Sequence, residues 1–380
     1  MNRFSFKKMS ISTILTTIIL VVLVAQGKVN SQTIPFSPNK WEFYASEYKV
    51  GNYFGKDGIF LKDGGAIVKD SEFKNGIIEF DIAVTGERGF MGVIWRIQDE
   101  NNYEEFYIRP HQSGNPDANQ YTPVFNGISG WQLYYGKEYS APVKYMFNDW
   151  MHIKLVVSDQ QAEVYINDMG NPALFIPELK RKAVAGKIGI NVLKGFAPAY
   201  FANFSYKEIA KPEIKTKPMQ QIQEEAGTVM SWSVSNTFDD EWLKDRYDIS
   251  GKDIENLNWT KLNSESTGIT NLARVQGISE KHNTAFAKLV IYSDKEQVKK
   301  IKFGYSDNVK VYVNGKLIYG GTNYYMSRDY RYLGTIGLFD ELYLHLEKGE
   351  NQILFAVTEN FGGWGILAAF DDLNNIKLVN

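Results

Sequence analysis

Residues 76–84 read GIIEFDIAV, and this stretch decides the fold. Its apolar side chains fall on every second position, at Ile78, Phe80, Ile82 and Val84. Glu79 and Asp81 fall between them and share the opposite face. Successive side chains of a β-strand point to opposite faces of the sheet, so this period of two predicts a half-buried strand.

The same alternation recurs along the chain. Residues 151–157 repeat it, and 162–166, 186–192 and 200–206 continue the series. Helical periodicity is nearly absent, and Gly, Asn and Asp separate the apolar runs. The sequence therefore predicts an all-β protein.

A change of composition divides the chain in two. Residues 209–227 are rich in Lys, Pro, Gln and Glu and contain almost no bulky apolar residue, which is typical of a solvated linker. We expect two β-sandwich (jelly-roll) domains joined by this polar linker, with the first at 36–208 and the second at 228–380. No repeat of fixed period relates them, so we expect two different sandwiches.

Bulk composition excludes several classes of protein. The 380 residues carry a net charge of -2, so no broad basic field is present to attract nucleic acid. There is no cysteine, which excludes disulfides and a lipid anchor on cysteine. Aromatic residues make up 14% of the chain, a content that suits both β-sandwich cores and stacking on sugar rings.

The first 31 residues have the pattern of a secretory signal. Arg3, Lys7 and Lys8 precede an apolar run at 11–24, and small residues follow at 25–27. The run is shorter than the ~20 residues that span a bilayer, so we expect cleavage after Gly27 or Ser31 and no transmembrane anchor. The predicted location is the periplasm or the cell exterior.

The segment at 103–109, YEEFYIR, predicts a ligand site. If Phe106 and Ile108 point into the core, strand alternation places Glu105, Tyr107 and Arg109 together on the other face. Carboxylate, amide and guanidinium groups bond sugar hydroxyls, and aromatic rings pack on the apolar face of a sugar. Residues 110–130 read as a long loop that adds further candidates: His111, Gln112, Asp117, Gln120 and Trp131.

Two alternatives stay open for this segment. Arg109 could pair with Glu105 or Asp117 in an ordinary ion pair, with the loop as a folded cover. As catalytic candidates the sequence offers only His111, Asp117 and Glu105, which could transfer protons. The four histidines are scattered and lack metal-ligand spacing, so no metal site and no cofactor are predicted from them.

Three motifs carry a family resemblance. Residues 106–114 (FYIRPHQSG), 120–127 (QYTPVFNG) and 131–134 (WQLY) resemble exported concanavalin A-like jelly-roll proteins, of the laminin-G-like and 3-keto-disaccharide hydrolase-like groups. The resemblance covers roughly 43–206. It implies two stacked antiparallel sheets whose concave face binds glycans, either in a lectin-like module or in an enzyme acting on oxidised disaccharides.

A glucanase mechanism is excluded by one position. The run at 79–84 resembles the start of the Glu-x-Asp-x-x-Glu strand of endo-β-glucanases. Retaining cleavage needs two carboxyl groups, and the second glutamate is replaced by Val84.

Two motifs stand out in the second region: 304–316 (GYSDNVKVYVNGK), and 348–365, which begins with KGEN and ends with FGGWG. Together they resemble the galactose-binding-like jelly rolls that accompany glycoside hydrolases and esterases, a similarity that spans about 285–372. Asn314-Gly315 between apolar runs predicts a type I′ hairpin.

Four residues of this region are further sugar-binding candidates: Tyr324, Tyr325, Arg328 and Trp364. The first three lie in the tyrosine-rich stretch 323–332, which is a sugar platform if exposed and packing if folded under. Trp364 is either a stacking residue or a core residue. Asp239, Asp240 and Glu241 could bind a structural Ca²⁺ or form a solvated turn.

We therefore expect an exported carbohydrate-binding protein whose partner is a polysaccharide or oligosaccharide. One alternative is a glycan-acting enzyme of the 3-keto-disaccharide hydrolase or lyase type. The other is an adhesion or scaffold protein that uses the tyrosine-rich stretch.

Overall fold

The computed structural model describes residues 32–217, 226–328 and 333–379. The predicted signal at 1–31 lies outside these residues, as do Tyr330 and Arg331 of the tyrosine-rich stretch. In the described part of the chain, no helix is long and apolar enough to cross a membrane.

The all-β prediction is confirmed. Fourteen strands form the first sandwich: β1 Trp41–Phe43, β2 Glu47–Tyr53, β3 Lys56–Lys62, β4 Gly64–Val68, β5 Gly76–Ala83, β6 Met91–Asp99, β7 Asn102–Ile108, β8 Asn119–Phe125, β9 Ile128–Ser129, β10 Trp150–Ser158, β11 Gln161–Ile166, β12 Leu174–Ile176, β13 Lys187–Val192 and β14 Ala199–Glu208. A 3₁₀ turn, Pro110–Gln112, follows β7.

These strands form two antiparallel sheets. The first sheet has the order β1-β4-β13-β6-β7-β8-β9, and the second sheet has the order β12-β11-β10-β5-β14-β3-β2. Alternation sends one set of side chains between the sheets, where Phe80 and Ile82 of β5 meet Phe106 and Ile108 of β7 in one core. The other set covers two outer faces, one on each sheet.

Among the described residues from 226 onward, eleven strands form the second sandwich: β15 Ser231–Ser235, β16 Trp259–Asn263, β17 Thr270–Asn271, β18 Thr284–Ser293, β19 Gln297–Ser306, β20 Asn308–Val313, β21 Lys316–Thr322, β22 Asp340–Leu346, β23 Gly349–Thr358, β24 Gly365–Phe370 and β25 Ile376–Leu378. The third sheet has the order β16-β15-β18-β23-β20-β21, with β25 paired to β18, and the fourth has the order β17-β24-β19-β22. Short 3₁₀ turns are Asp240–Leu243, Gly251–Asp253 and Leu272–Arg274.

The predicted hairpin joins β20 to β21. Asn314 and Gly315 both have positive φ, 47° and 83°, as a type I′ turn requires. Val309, Val311 and Val313 of β20 lie in the core of the second sandwich, as their alternation predicts.

Contacts cross between the two sandwiches along a seam formed by residues 131–135. The backbone N–H of Gln132 donates to the carbonyl of Gly362 at 2.9 Å, and its carbonyl accepts from Ile336 at 3.0 Å. A buried ion pair, Lys180 Nζ to Glu265 at 2.8 Å, adds to this seam, and Tyr134 also bonds Glu265. Residues 32–380 consequently group as one compact unit.

The predicted linker lies partly on the first sandwich. Pro212 is buried, and the backbone N–H of Thr216 donates to Oε1 of Glu163 at 2.6 Å. Residues 218–225 lie outside the described chain. The division at 209–227 into separate domains stays a prediction.

Candidate functional site

The outer face of the first sheet carries the residues that the sequence selected. Phe106 and Ile108 of β7 are fully buried in the core, so Glu105 and Tyr107 point to the outer face. Tyr107 lies opposite Gly92 of β6 and Gln120 of β8. The glycine leaves the surface beside the tyrosine without a side chain.

Glu105 is enclosed by aromatic and amide groups. Asn191 of β13 donates from Nδ2 to Oε1 of Glu105 at 3.3 Å, and the hydroxyl of Tyr44 donates to Oδ1 of Asn191 at 3.3 Å. Burial raises the pKa of Glu105 to about 7, and the Asn191 bond offsets this in part. Burial and the charge of Glu105 also raise the pKa of Tyr44 and Tyr103.

A glycine allows Tyr44 to lie over the sheet. A Cβ at Gly65 would stand 2.6 Å from the Tyr44 hydroxyl oxygen and 2.1 Å from the carbonyl oxygen of Ile190. Both approaches are too close for any side chain, so Gly65 is required for this arrangement.

Arg109 is buried beside Tyr107, and its guanidinium donates to neutral acceptors. Its Nη1 donates to the backbone carbonyl of Asp117 at 2.9 Å, and Nη2 donates to the Tyr107 hydroxyl at 3.0 Å and to Gln120 Oε1. Among the described residues, no carboxylate pairs with Arg109 or with Arg88. The alternative of an ion pair with Glu105 or Asp117 is therefore wrong, because the guanidinium is held by neutral acceptors.

Phe90 is the centre of an aromatic cluster at this end of the face. Its ring contacts those of Tyr107, His111 and Phe196 with centroid distances of 5.8, 5.4 and 4.9 Å. The Arg109 guanidinium lies 5.8 Å from the Phe90 centroid, and that of Arg88 lies 5.5 Å from the Phe196 centroid. We call Phe90, His111, Phe196, Arg88 and Arg109 the Phe90 cluster.

His111 is brought into this cluster by the 3₁₀ turn. The backbone N–H of Gly89 donates to its Nδ1 at 3.4 Å. Burial lowers the pKa of His111, as do the charges of Arg88 and Arg109, and Asp117 opposes them. The imidazole is therefore neutral near pH 7.

Gln112 and Asp117 lie in the connection after β7. Oε1 of Gln112 accepts from Asn115 Nδ2 at 2.6 Å, so this amide is used within the connection. Asp117 is half-buried and reaches Arg109 through its backbone carbonyl.

The predicted loop 110–130 is wrong in its second half, which forms β8 and β9. Gln120 is a buried strand residue whose Nε2 donates to the carbonyl of Trp131 at 2.9 Å. Trp131 itself belongs to the seam, where its ring contacts Tyr325 and Phe361 at centroid distances of 6.2 and 5.8 Å. The sequence missed this because polar residues on β8 are buried against residues 131–145 instead of facing solvent.

The four sugar-binding candidates of the second sandwich lie in different environments. Trp364 is fully buried and donates to the carbonyl of Val357 at 3.0 Å, so it is a core residue and cannot stack on a surface sugar. Arg328 pairs with Asp340, and Tyr325 packs in the seam. Tyr324 remains 41% exposed.

The acidic turn at 239–241 is satisfied internally. Asp239 accepts from the backbone N–H of Glu241 at 3.0 Å, and Asp240 accepts from Asn283 at 3.0 Å. Glu241 lies 3.3 Å from Lys244. In the described residues, no group of three or more His, Cys, Asp or Glu side chains could hold a metal ion.

Glu79 and Asp81 lie on the outer face of the second sheet. Asp81 accepts from Lys56, His152 and Asn203 at 2.7, 2.7 and 2.6 Å, and Glu79 lies 3.6 Å from His152. Burial opposes ionisation of Asp81, but these hydrogen bonds lower its pKa to about 2. Hydrogen bonds to Asp81 and Glu79 raise the pKa of His152 to about 9. This mutually neutralised network agrees with the exclusion of the glucanase mechanism.

Five members of the candidate site were missed in the sequence: Tyr44, Arg88, Phe90, Asn191 and Phe196. Tyr44 and Asn191 are 147 residues apart, so only the fold brings them together. One signal was available, because Asn191 is a polar residue on the face of β13 opposite the apolar Ile188, Ile190 and Val192.

Comparisons with known proteins give a family match within the first sandwich. Residues 36–207 match the model of the 3-keto-alpha-glucoside-1,2-lyase-like domain. No curated protein matches the chain. The match ends before the second sandwich, whose galactose-binding-like character stays a prediction.

Several solved structures are similar to part of the chain. The carbohydrate binding module CBM66 from Bacillus subtilis is 17% identical, with 46% of this chain and 100% of that chain covered and a TM-score of 0.34. A Bacillus subtilis protein with a galectin-like fold is 12% identical, with 45% and 90% covered and a TM-score of 0.33. The β-glucanase of Bacillus licheniformis is 14% identical, with 47% and 96% covered and a TM-score of 0.33.

The resemblance drawn from the sequence is thus confirmed for the first sandwich: residues 36–207 match the 3-keto-alpha-glucoside-1,2-lyase-like domain.

Proposed function

We propose that the protein binds a carbohydrate on the outer face of the first sheet, between Glu105 and the Phe90 cluster. One observation carries the proposal. On this face a carboxyl group and two guanidinium groups lie among aromatic rings without neutralising one another. Arg88 is exposed and Glu105 is half-buried, so these two charged groups can reach a ligand.

The chemistry of the face suits a sugar. Half-buried rings such as Phe90 and Phe196 offer surfaces for the C–H face of a pyranose. Glu105, Asn191 and Tyr44 offer donors and acceptors for hydroxyl groups. Apolar walls with a few placed polar groups are the usual composition of a small-molecule site.

A titration on a purified chain of residues 32–380 tests binding. We expect a glycan array to identify a ligand, and calorimetry to give a weaker affinity for Asn191→Ala, which removes a donor to Glu105. Lys154→Ala on the outer face of the second sheet is the control and should bind normally. Absence of any glycan ligand would contradict the proposal.

A catalytic role is the second candidate, and the pKa of Glu105 favours it. A carboxyl group that titrates near 7 can take up and release a proton at neutral pH. The family model is named for a 1,2-lyase of 3-keto-α-glucosides. In such an elimination a base removes the proton on C2, which the neighbouring ketone acidifies, and the C1–O bond breaks as the C1–C2 double bond forms.

Under this second candidate, Glu105 in its ionised form is the base. Because the His111 imidazole is neutral near pH 7, the departing oxygen would take up its proton from water. We expect release of the aglycone from a 3-keto-α-glucoside, with a rate that rises through an apparent pKa near 7. Glu105→Gln should abolish release and keep binding. A rate unchanged in this variant would remove Glu105 from the mechanism.

Export is part of the proposal and depends on the N-terminal sequence. The basic start and the apolar run at 11–24 support it. Mass spectrometry of the native protein should find a mature N-terminus near Lys28 or Gln32. Recovery of intact Met1 from the cytoplasm would contradict export.

A further inference from the structure

Two carboxyl groups lie buried together at one end of the second sandwich. Asp307 follows β19 and is 0% exposed, and Glu359 follows β23 and is 2% exposed. Both hold the same short loop, residues 359–363. Oδ2 of Asp307 accepts from the backbone N–H groups of Asn360 and Phe361 at 2.9 Å, and Oε1 of Glu359 accepts from Gly363 at 3.0 Å.

No cation neutralises this pair within the described residues. Neither carboxylate has a lysine, arginine or histidine within ion-pair distance there. Burial raises the pKa of Asp307 to about 6, and burial and the charge of Asp307 both raise the pKa of Glu359. Two buried carboxylates are stable as anions only when a positive charge or a proton accompanies them.

Acceptor oxygens are in excess around the pair. In the described part of the chain, Oε2 of Glu359 and Oδ1 of Asn323 are buried without a hydrogen-bond donor. Asn323 is 1% exposed and adjoins Asp307, because its backbone N–H donates to the Asp307 carbonyl at 2.7 Å. Its Nδ2 donates to the carbonyl of Tyr305 at 3.0 Å, which identifies Oδ1 as the unpartnered atom.

A fourth side chain with an acceptor oxygen comes from the first sandwich. The Ser306 hydroxyl donates to Oε1 of Gln132 at 3.0 Å and lies 3.4 Å from Oδ1 of Asp307. The amide of Gln132 therefore lies beside the carboxyl pair. The whole set consists of oxygen acceptors with few donors.

We propose that Asp307, Glu359 and Asn323 bind one Ca²⁺ ion, with Gln132 beside it. Ca²⁺ takes six to eight oxygen ligands, including carboxylates and amide carbonyls, so two carboxylates with amide oxygens, backbone carbonyls and water are sufficient. The ion would neutralise the buried charge and partner the orphaned oxygens. Because the Gln132 N–H bonds the Gly362 carbonyl of the same loop, the ion would also hold the two sandwiches together at the seam.

This Ca²⁺ site differs from the acidic turn that the sequence offered. The side chain of Glu241 is 71% exposed and pairs with Lys244, so the turn has neither buried charge nor orphaned oxygens. Glu359→Gln is therefore the test variant and Glu241→Gln is its matched control, because both replace a glutamate by glutamine.

The test uses the chain of residues 32–380 after treatment with EGTA. CaCl₂ is titrated by calorimetry at pH 7.5, and thermal unfolding is followed with and without Ca²⁺. We expect about one Ca²⁺ per chain and a rise in melting temperature, since a ligand that binds only the folded state stabilises it. Glu359→Gln should weaken Ca²⁺ binding by at least roughly tenfold, because ligand charge sets the affinity, and Glu241→Gln should leave it unchanged.

Asp307→Asn removes the other charge and serves if Glu359→Gln does not fold. Wild-type protein that binds no Ca²⁺ would overturn the proposal. Wild-type Ca²⁺ affinity in folded Glu359→Gln or Asp307→Asn would overturn it as well. A proton on Glu359 is then the alternative. It predicts no response to Ca²⁺ and stability that falls as pH rises through the raised pKa values, because the folded state binds the extra proton.

Discussion

The two outer faces of the first sandwich use similar residues in opposite ways. On the second sheet, Asp81, Glu79, Lys56 and His152 neutralise one another, with the pKa of Asp81 lowered and that of His152 raised. On the first sheet, burial raises the pKa of Glu105, and Arg109 donates to neutral acceptors. Charges that satisfy each other stabilise a surface, whereas charges left apart among aromatic rings are available for a ligand.

The largest effect is expected on the second sheet. Asp81→Asn leaves Lys56 and the protonated His152 without their carboxylate. We expect a cost of about 2 to 3 kcal/mol, below the range for a fully buried pair because Lys56 and His152 are each 38% exposed. The folded-state pKa of Asp81 is lowered, so the stability that it contributes is present above pH 4 and is lost as pH falls toward 2. Chemical denaturation at pH 7 measures the cost of the substitution, and the same measurement at pH 2.5 tests whether this difference disappears in acid.

Glu79→Gln is the control for this variant. Its carboxylate is 36% exposed and lies 3.6 Å from His152, so we expect a cost of about 0 to 1 kcal/mol. Glycan affinity should be unchanged in both variants. A loss of affinity in folded Asp81→Asn would place the ligand on the second sheet.

An intermediate effect is expected for Arg109→Ala. Arg109 is 7% exposed and donates to three groups, so its removal affects stability as well as binding. Leaving buried acceptors such as Gln120 unpaired costs about 1 to 3 kcal/mol. We expect both lower stability in urea and weaker glycan binding per folded molecule.

Arg88→Ala separates the two consequences. Arg88 is exposed over the Phe196 ring, so its loss should change stability by less than about 0.5 kcal/mol. Binding should still weaken if the ligand contacts this cluster. Normal binding by both arginine variants would limit the cluster to a structural role.

A change of pH dependence is expected in Glu105→Gln. The folded-state pKa of Glu105 is raised, so the wild type loses stability as pH rises from about 4.5 through 7. Glutamine cannot ionise, so the stability of the variant should rise relative to that of the wild type as pH increases across this range. Melting temperatures at pH 5 and pH 8 give the difference. A constant difference would mean that Glu105 titrates normally.

The sequence predicted the fold further than it predicted the site. Alternation in GIIEFDIAV and YEEFYIR assigned the faces of β5 and β7 correctly, because the period of two is a local property. It could not place Trp131 in the seam or bury Trp364, since both depend on contacts between distant segments. Tyr44 and Phe196 were missed for the same reason.

The most direct test removes one aromatic ring from each outer face by substitution with alanine. Phe196 contacts Phe90 beside the first sheet, and Phe54 contacts Trp150 and Tyr200 on the second sheet at 6.1 and 5.3 Å. With a ligand taken from the glycan array, calorimetry on Phe196→Ala should show affinity at least roughly tenfold weaker, which corresponds to about 1.4 kcal/mol. Phe54→Ala should bind like the wild type. The reverse result, with binding lost only in Phe54→Ala, would contradict the assignment of the ligand to the first sheet.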